Sequence, residues 1–205
     1  MRLKFPEESK FPWLPLLLDA YEIIDNGVEV AINEEENLSS KKLACKKGCD
    51  NCCSTHKDIP LYPHELVGIY WYTTEKITNP LRDIIKKQLS AHAEGAPCPF
   101  LIDSSCAIHP IRPASCRQFN VFSRQCEKGE DPYYTRRPDV LTPIEAYTHQ
   151  AFSAILLFYG VNAEENETEE VISAIILTQA TNLQSHDWKK LARIMENFDS
   201  KNLKV

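Results

Sequence analysis

Four of the chain's eight cysteines fall within nine residues, Cys45-Lys-Lys-Gly-Cys49-Asp-Asn-Cys52-Cys53, and the other four, Cys98, Cys106, Cys116 and Cys126, share a second segment. A cysteine can pack as a small hydrophobe, form a disulfide, or bind metal as a thiolate. Spacing separates these uses. Cys49 and Cys52 form a C-x2-C pair, in which a tight turn aims two sulfurs at one ion while backbone amides donate to them. Gly48 beside the pair suits such a turn. Cys45 precedes Cys49 by one helical turn. Cys52 and Cys53 are adjacent, so their side chains diverge; they serve different ions, or one of them supports the other's site. Four thiolates complete one tetrahedral zinc site or one [4Fe–4S] cluster, and eight suffice for two. The expected ligands are therefore Cys45, Cys49, Cys52, Cys53, Cys98, Cys106, Cys116 and Cys126. Simple packing competes best for Cys126, the most isolated. His109, between Cys106 and Cys116, and His56, just after the first cluster, are the two histidines placed to act as spare ligands.

Arg112 and Arg117 flank Cys116. A tetrathiolate centre carries net negative charge that nearby guanidinium groups offset, so both are read as cofactor-binding residues. The alternatives are an anionic ligand or ordinary loop salt bridges.

The rest of the sequence bounds what the cysteines can mean. A chain of 205 residues buries a core without cross-links. The N-terminal apolar stretch, Phe11 to Leu18, is broken by Pro12 and Pro15, closed by Asp19 and followed by no small-residue cleavage site, unlike a signal peptide. The expected compartment is the cytoplasm, where clustered thiols stay reduced and read as metal ligands. No apolar run is long enough to cross a membrane. A net charge of −6 argues against a broad nucleic-acid surface. The expected partners are a metal ion or cluster and a protein, with no nucleic acid and no membrane.

Several elements must position these thiols. Residues 13–25 suit a short helix or an extended segment, Val28–Ile32 alternates like a short strand, and Asn33–Ser40 reads as an acidic loop. Pro63 sits at a favoured first helical position, Asn79-Pro80 reads as a cap and start, and Gly95 as a stop. Residues 96–140 lack periodicity and read as a long loop that bound metal must hold. Thr142-Pro-Ile-Glu145 reads as a capping box for a helix reaching Tyr159 and stopped by Gly160. A second helix starts at Asn162 or Thr168, with Val171, Ile172, Ile175, Ile176, Gln179 and Leu183 on one face. A third, capped by Ser185, carries Trp188, Leu191, Met195 and Phe198.

Taken together, Cys49-Asp-Asn-Cys52-Cys53, Cys98-Pro-Phe-Leu101, Cys106-Ala-Ile-His109 and Arg112-Pro-Ala-Ser-Cys116-Arg117-Gln-Phe119 resemble the CxxCxxCC, or YkgJ-type, family of zinc- or iron-chelating proteins. The likeness covers roughly residues 45–126. It implies a metal-binding domain with eight cysteines and no particular reaction. A related cysteine module is shared by flagellin lysine-N-methylases. The chain departs from the family pattern in two places: three residues separate Cys45 from Cys49 where the family name suggests two, and His109 stands where a tyrosine is common.

The expected fold is mainly α, a single helical domain over residues 1–205 with a long metal-pinned cysteine-rich loop. The metal-chelating region is 45–126 and the C-terminal helical part is 142–199. The expected function is a cysteine-ligated metal-binding protein carrying a [4Fe–4S] cluster or zinc, with no reaction assigned. Phe100 and Phe119, beside the ligands, would shield a cluster from water. One alternative is a zinc-folded interaction module. Another is a metal-dependent enzyme related to the methylase module. The spacing Cys45-x3-Cys49-x2-Cys52 also matches the radical SAM cluster motif. Against that stand the absence of strand–helix alternation, Asn51 where an aromatic residue is usual, and a ready fourth ligand in Cys53 or the second segment.

Overall fold

A computed structural model describes residues 2–161, 176 and 178–202 of the chain. The fold is mainly α, as expected. Its longest element is α1 (Trp13–Ser39), followed by α2 (Asn51–Thr55), α3 (Pro63–Glu75), α4 (Leu81–Ala91), α5 (Ala114–Gln118), α6 (Pro132–Thr135), α7 (Glu145–Ile155) and α8 (Trp188–Asn202). Two-residue strands make two small antiparallel ribbons: β1 (Pro60–Leu61) with β4 (Thr181–Asn182), and β2 (Leu101–Ile102) with β3 (Ser105–Cys106). Among the described residues no helix is long and apolar enough to cross a membrane.

Helix α1 corrects the reading of residues 13–40. There is no strand at Val28–Ile32 and no loop at Asn33–Ser40; one helix runs through both. The buried positions Leu17, Ala20, Ile24, Gly27 and Ala31 recur three or four apart, which is the helical period. The alternation over five residues was a fragment of that longer stripe. Gly27 is in the stripe because α7 crosses it closely: a Cβ there would lie 2.6 Å from the Tyr147 Cβ. The acidic residues at 33–37 continue the helix on its solvent side. It ends at Ser40, whose φ of 59° is left-handed.

Other boundaries also move. Pro63 does open α3, and Glu65 reaches back to the Tyr62 N–H at 3.0 Å. α4 starts at Leu81 and ends before Gly95, which takes φ 82° in the following turn. Thr142 does not cap α7, which starts at Glu145. The Thr142 hydroxyl accepts from Arg137 instead. The α-helix stops at Ile155 and a 3-10 turn carries the chain to Tyr159, closed by Gly160 at φ 74°. Ser185 donates to the Asn182 carbonyl rather than capping α8. The stripe of α8 is buried at Trp188, Leu191 and Met195 and surfaces at Phe198. The helix expected from Asn162 or Thr168, with Val171, Ile172 and Ile175, lies outside the described residues. Ile176 is in the core, Gln179 is exposed, and Leu183 is buried just after β4.

Helix α1 packs on α7, α5 and α3, and α4 packs on α8. The main core between them holds Leu17, Tyr21, Ile69, Ile85, Phe100, Ile155 and Trp188. The cysteine-rich region lies against this core. It is not one long loop: the β2–β3 hairpin, α5 and α6 divide it. Asp103 and Ser104, with φ of 46° and 55°, form the hairpin's two-residue turn, the twist that matches short antiparallel strands.

Candidate metal centre

The thiols are held by several separate pieces of backbone. Segment 120–123 runs between 42–44 and 139–141, with Ala44 N–H to Val121 O at 2.8 Å and Leu141 N–H to Asn120 O at 2.9 Å. This sets Cys45 against segment 120–123, where the Val121 N–H donates to its sulfur at 3.3 Å. A turn closed by Cys49 N–H to Lys46 O at 3.0 Å, with Gly48 at φ 84°, presents Cys49 to solvent. Helix α2 then carries Cys52 and Cys53. The Cys98 N–H donates to the Cys53 carbonyl at 2.7 Å, tying the second cysteine segment to the first. The side-chain amide of Gln88, on α4, donates to the carbonyls of Pro99 and Leu101 at 3.0 and 2.8 Å and so fixes the Cys98-Pro-Phe-Leu101 turn. β3 carries Cys106. α5 carries Cys116 and is docked by Glu65, which accepts from Ala114 N–H at 2.6 Å.

The eight thiols are all free and fall into two sets. Cys98 belongs to the main core, and Cys53, Cys106 and Cys116 pack against it. Cys45, Cys49, Cys52 and Cys126 do not. Electrostatics divides them less sharply, because Cys52 acts on Cys106 and Cys116 as well as on Cys45 and Cys126. Burial pushes Cys45 up to about 11, and the neighbouring thiols of Cys49, Cys52 and Cys126 add to the rise. Cys126 is raised by burial and by Cys49 and Cys52, against the pull of Arg136. In the other set Cys116 is pushed well up by burial and then by Cys52, Cys53 and Cys106. Cys52 and Cys53 join the sets. Their mutual hydrogen bond pushes Cys52 far up and is also the largest influence on Cys53, which it lowers. A hydrogen bond to Cys98 together with burial outweighs it, so that Cys53 stands at about 12.

Among the described residues no three cysteine, histidine or carboxylate side chains already converge as a finished coordination sphere. Burial and crowding raise the cost of ionising Cys45, Cys52, Cys53, Cys106, Cys116 and Cys126, and a thiophilic cation removes that cost, with protons released as it binds. The donor set therefore fits zinc or iron, both of which take thiolate.

The two histidines differ: His109 is engaged, whereas the His56 Nε2 is buried without a hydrogen-bond partner. The His109 Nε2 is hydrogen-bonded to the Arg112 guanidinium. His56 lies 3.3 Å from Asp131 and edge-on to Phe119, with ring centroids 4.4 Å apart. Phe100 is fully buried against Trp188, in the same core cluster as Cys98. The arginines divide. Arg117 is buried, donates to Asp25 at 2.7 Å and to the carbonyls of Arg112 and Pro110, and lies 4.0 Å over the Tyr21 ring. It braces α5 against α1. Arg112 keeps a buried Nε without a hydrogen-bond partner. Both guanidinium charges reach Cys106 and oppose its rise.

A family model matches residues 44–154, more than half of the chain, and is described as a "putative zinc- or iron-chelating domain". The chain belongs to the CxxCxxCC family. No curated protein and no solved structure matches it. The family match extends past the last cysteine into α7.

Sequence reasoning missed the groups that surround Cys126. The Arg136 Nη2 lies 3.6 Å from its sulfur, the one guanidinium hydrogen-bonded to a cysteine among the described residues. Arg136 also donates to Glu130 at 2.8 Å and to the Phe122 carbonyl at 3.0 Å. The Asn51 side chain donates to the Glu130 carbonyl at 2.6 Å and accepts from Gly129 N–H at 3.2 Å. Only the placement of Asn51 inside the C-x2-C pair hinted at such a role. Nothing in the spacing marked Arg136.

Proposed function

We propose that this protein binds metal in two four-thiolate sites, an outer one on Cys45, Cys49, Cys52 and Cys126 and an inner one on Cys53, Cys98, Cys106 and Cys116. The observation that carries the reading is the division of the thiols: four pack against the main core and four do not, and the two sets meet at the adjacent Cys52 and Cys53. We assign a [4Fe–4S] cluster to the outer site. Three of its sulfurs come from eight consecutive residues, Cys45 to Cys52, the crowding that a compact four-iron cage requires. The inner set draws its sulfurs from four separate segments embedded in the core, which suits a metal that holds the fold, zinc or iron. A cluster would supply one-electron redox chemistry; a zinc ion would supply cross-linking. Arg112, with its unpartnered Nε, offsets thiolate charge, whereas Arg117 acts through packing. Reduced thiols require a reducing compartment such as the cytoplasm.

The zinc-folded interaction module is the second reading. It is favoured by Tyr133 and Tyr134, which stand 52% and 79% exposed beside the Cys126 loop. Elemental and sulfide analysis of protein purified without air distinguishes the two. The first reading expects brown protein with iron and acid-labile sulfide that bleaches with dithionite. Colourless protein with zinc, and without iron or sulfide even after anaerobic reconstitution, rejects the cluster.

A further inference from the structure

We propose that the outer site is exchangeable, closed by a polar latch that Asn51, Glu130 and Arg136 form around Cys126, whereas the inner site is permanent. The inference rests on the two-site reading above and adds a difference in lability between the sites.

The two sites are closed in physically different ways. Inner sulfurs are fixed by the core: Cys98 is 8% exposed and the other three pack against the same apolar cluster. Opening that site means disrupting Phe100, Ile108 and Ile111, all fully buried or nearly so. The outer site has no such wall. Cys49 faces solvent. Cys126 belongs to the segment between Ser123 and Asp131, where Ser123 takes φ 68° and Gly129 φ 79°, and its connection to the first cysteine cluster is polar. Asn51, between the C-x2-C ligands, donates to Glu130 O and accepts from Gly129 N–H, so one amide holds both edges of the turn. The Glu130 carboxylate accepts from Arg136, Arg124, Thr135 and the Glu127 N–H at 2.8 to 3.2 Å. Arg136 carries the chain of contacts to the Cys126 sulfur.

Hydrogen bonds of this kind are individually weak because water can replace them. A latch of polar contacts can therefore release one ligand locally, while a site sealed by apolar packing opens only with the fold. Releasing Cys126 leaves three thiolates, those of Cys45, Cys49 and Cys52, and opens one coordination position toward the Cys49 side. The iron that Cys126 held in the cluster, or the single ion of the zinc reading, would exchange there. Asn51 and Arg136 are positioning residues in this account.

The test uses the full chain carrying its metal as isolated without air, challenged with a chelator. Alkylation of each cysteine is followed by mass spectrometry, with metal content measured in parallel. In the wild type, Cys45, Cys49, Cys52 and Cys126 should be labelled together and first, with a matching part of the metal lost. Asn51→Ala and Arg136→Gln should speed this phase by about 10- to 100-fold, the usual effect of removing a partner that orients a ligand. Labelling of Cys53, Cys98, Cys106 and Cys116 should be unchanged, and Arg136→Lys should restore part of the protection. Arg136→Gln risks unfolding the segment, and Asn51→Ala, which removes no charge, keeps the test decisive. Simultaneous labelling of all eight cysteines, earlier release of the inner set, or an unchanged outer phase in both variants overturns the proposal. If the two phases divide the cysteines differently, the two-site reading itself fails.

Discussion

Glu65 gives the sharpest quantitative expectation. Its carboxyl is fully buried on α3 and accepts from the N–H groups of Tyr62 and Ala114, the second of which opens the helix carrying Cys116. Burial pushes it up to about 7, against the pull of those two amides and of Arg117. Between the ordinary value of 4.5 and about 7, the folded chain keeps a proton that the unfolded chain has released. A raised folded-state value means the stabilisation is fully present below pH 4.5 and is lost as pH rises through 7. At about 1.4 kcal/mol per pH unit, the loss is about 3 kcal/mol. Glu65→Gln removes this dependence. It adds a roughly constant cost of about 1–3 kcal/mol, because the amide NH2 faces a backbone donor. His64, whose pKa is pushed down to about 3 by burial, works in the opposite sense: its contribution is present above 6.5 and lost as pH falls. It is common to both proteins and cancels in the difference. Urea unfolding of wild type and Glu65→Gln from pH 4 to pH 8 should show the variant gaining about 3 kcal/mol on the wild type across that range. A difference that stays constant, or grows in favour of the wild type as pH rises, would mean that Glu65 is ionised in the fold and would refute the argument.

Four further outcomes are expected. Cys116→Ser should speed hydrogen exchange across residues 96–140 while α7 and α8 keep their protection, and an unchanged pattern would mean that the cysteines merely pack. Arg117→Gln should destabilise the fold by about 2 kcal/mol in thermal or urea unfolding, since it removes a bond to Asp25 and strands two carbonyls, and Arg117→Lys should not rescue it fully. Arg112→Gln should leave stability nearly unchanged and lower metal retention. Gly27→Ala should destabilise the fold by about 1–3 kcal/mol, and so lower the Tm, despite the better helix propensity of alanine, because the new methyl meets Tyr147 at 2.6 Å; a raised Tm would mean that α1 and α7 do not cross there.

The family and its clustered thiols were legible because thiol chemistry leaves a pattern in spacing alone. Cys49 and Cys52 must be close whatever the fold, and Pro63 and Glu65 mark the start of α3 locally. The division of the thiols was only partly legible: the adjacency of Cys52 and Cys53 implied two destinations, but assigning Cys126 to the outer set depends on the Asn51–Glu130 contact across 79 residues. Arg112 and Arg117 look equivalent beside Cys116, and only tertiary partners separate the brace from the free charge. The course of α1 failed for a different reason. A five-residue window at Val28–Ile32 fits period two as well as one face of a helix, and the decision rests on the close approach of α7 at Gly27. Arg136 lacked any local mark, because what makes it relevant is the fold that brings it to Cys126.

Thiol counting on native protein tests the central claim, that the eight cysteines are reduced and hold metal. Protein purified without air is alkylated before and after chelation under denaturant, and metal is quantified in the same samples. The account predicts that all eight cysteines resist alkylation in the native protein, including Cys49, which the bare fold leaves exposed. All eight should become labelled once the metal is removed. Four disulfides in freshly prepared protein, or native labelling with no metal to displace, would contradict it.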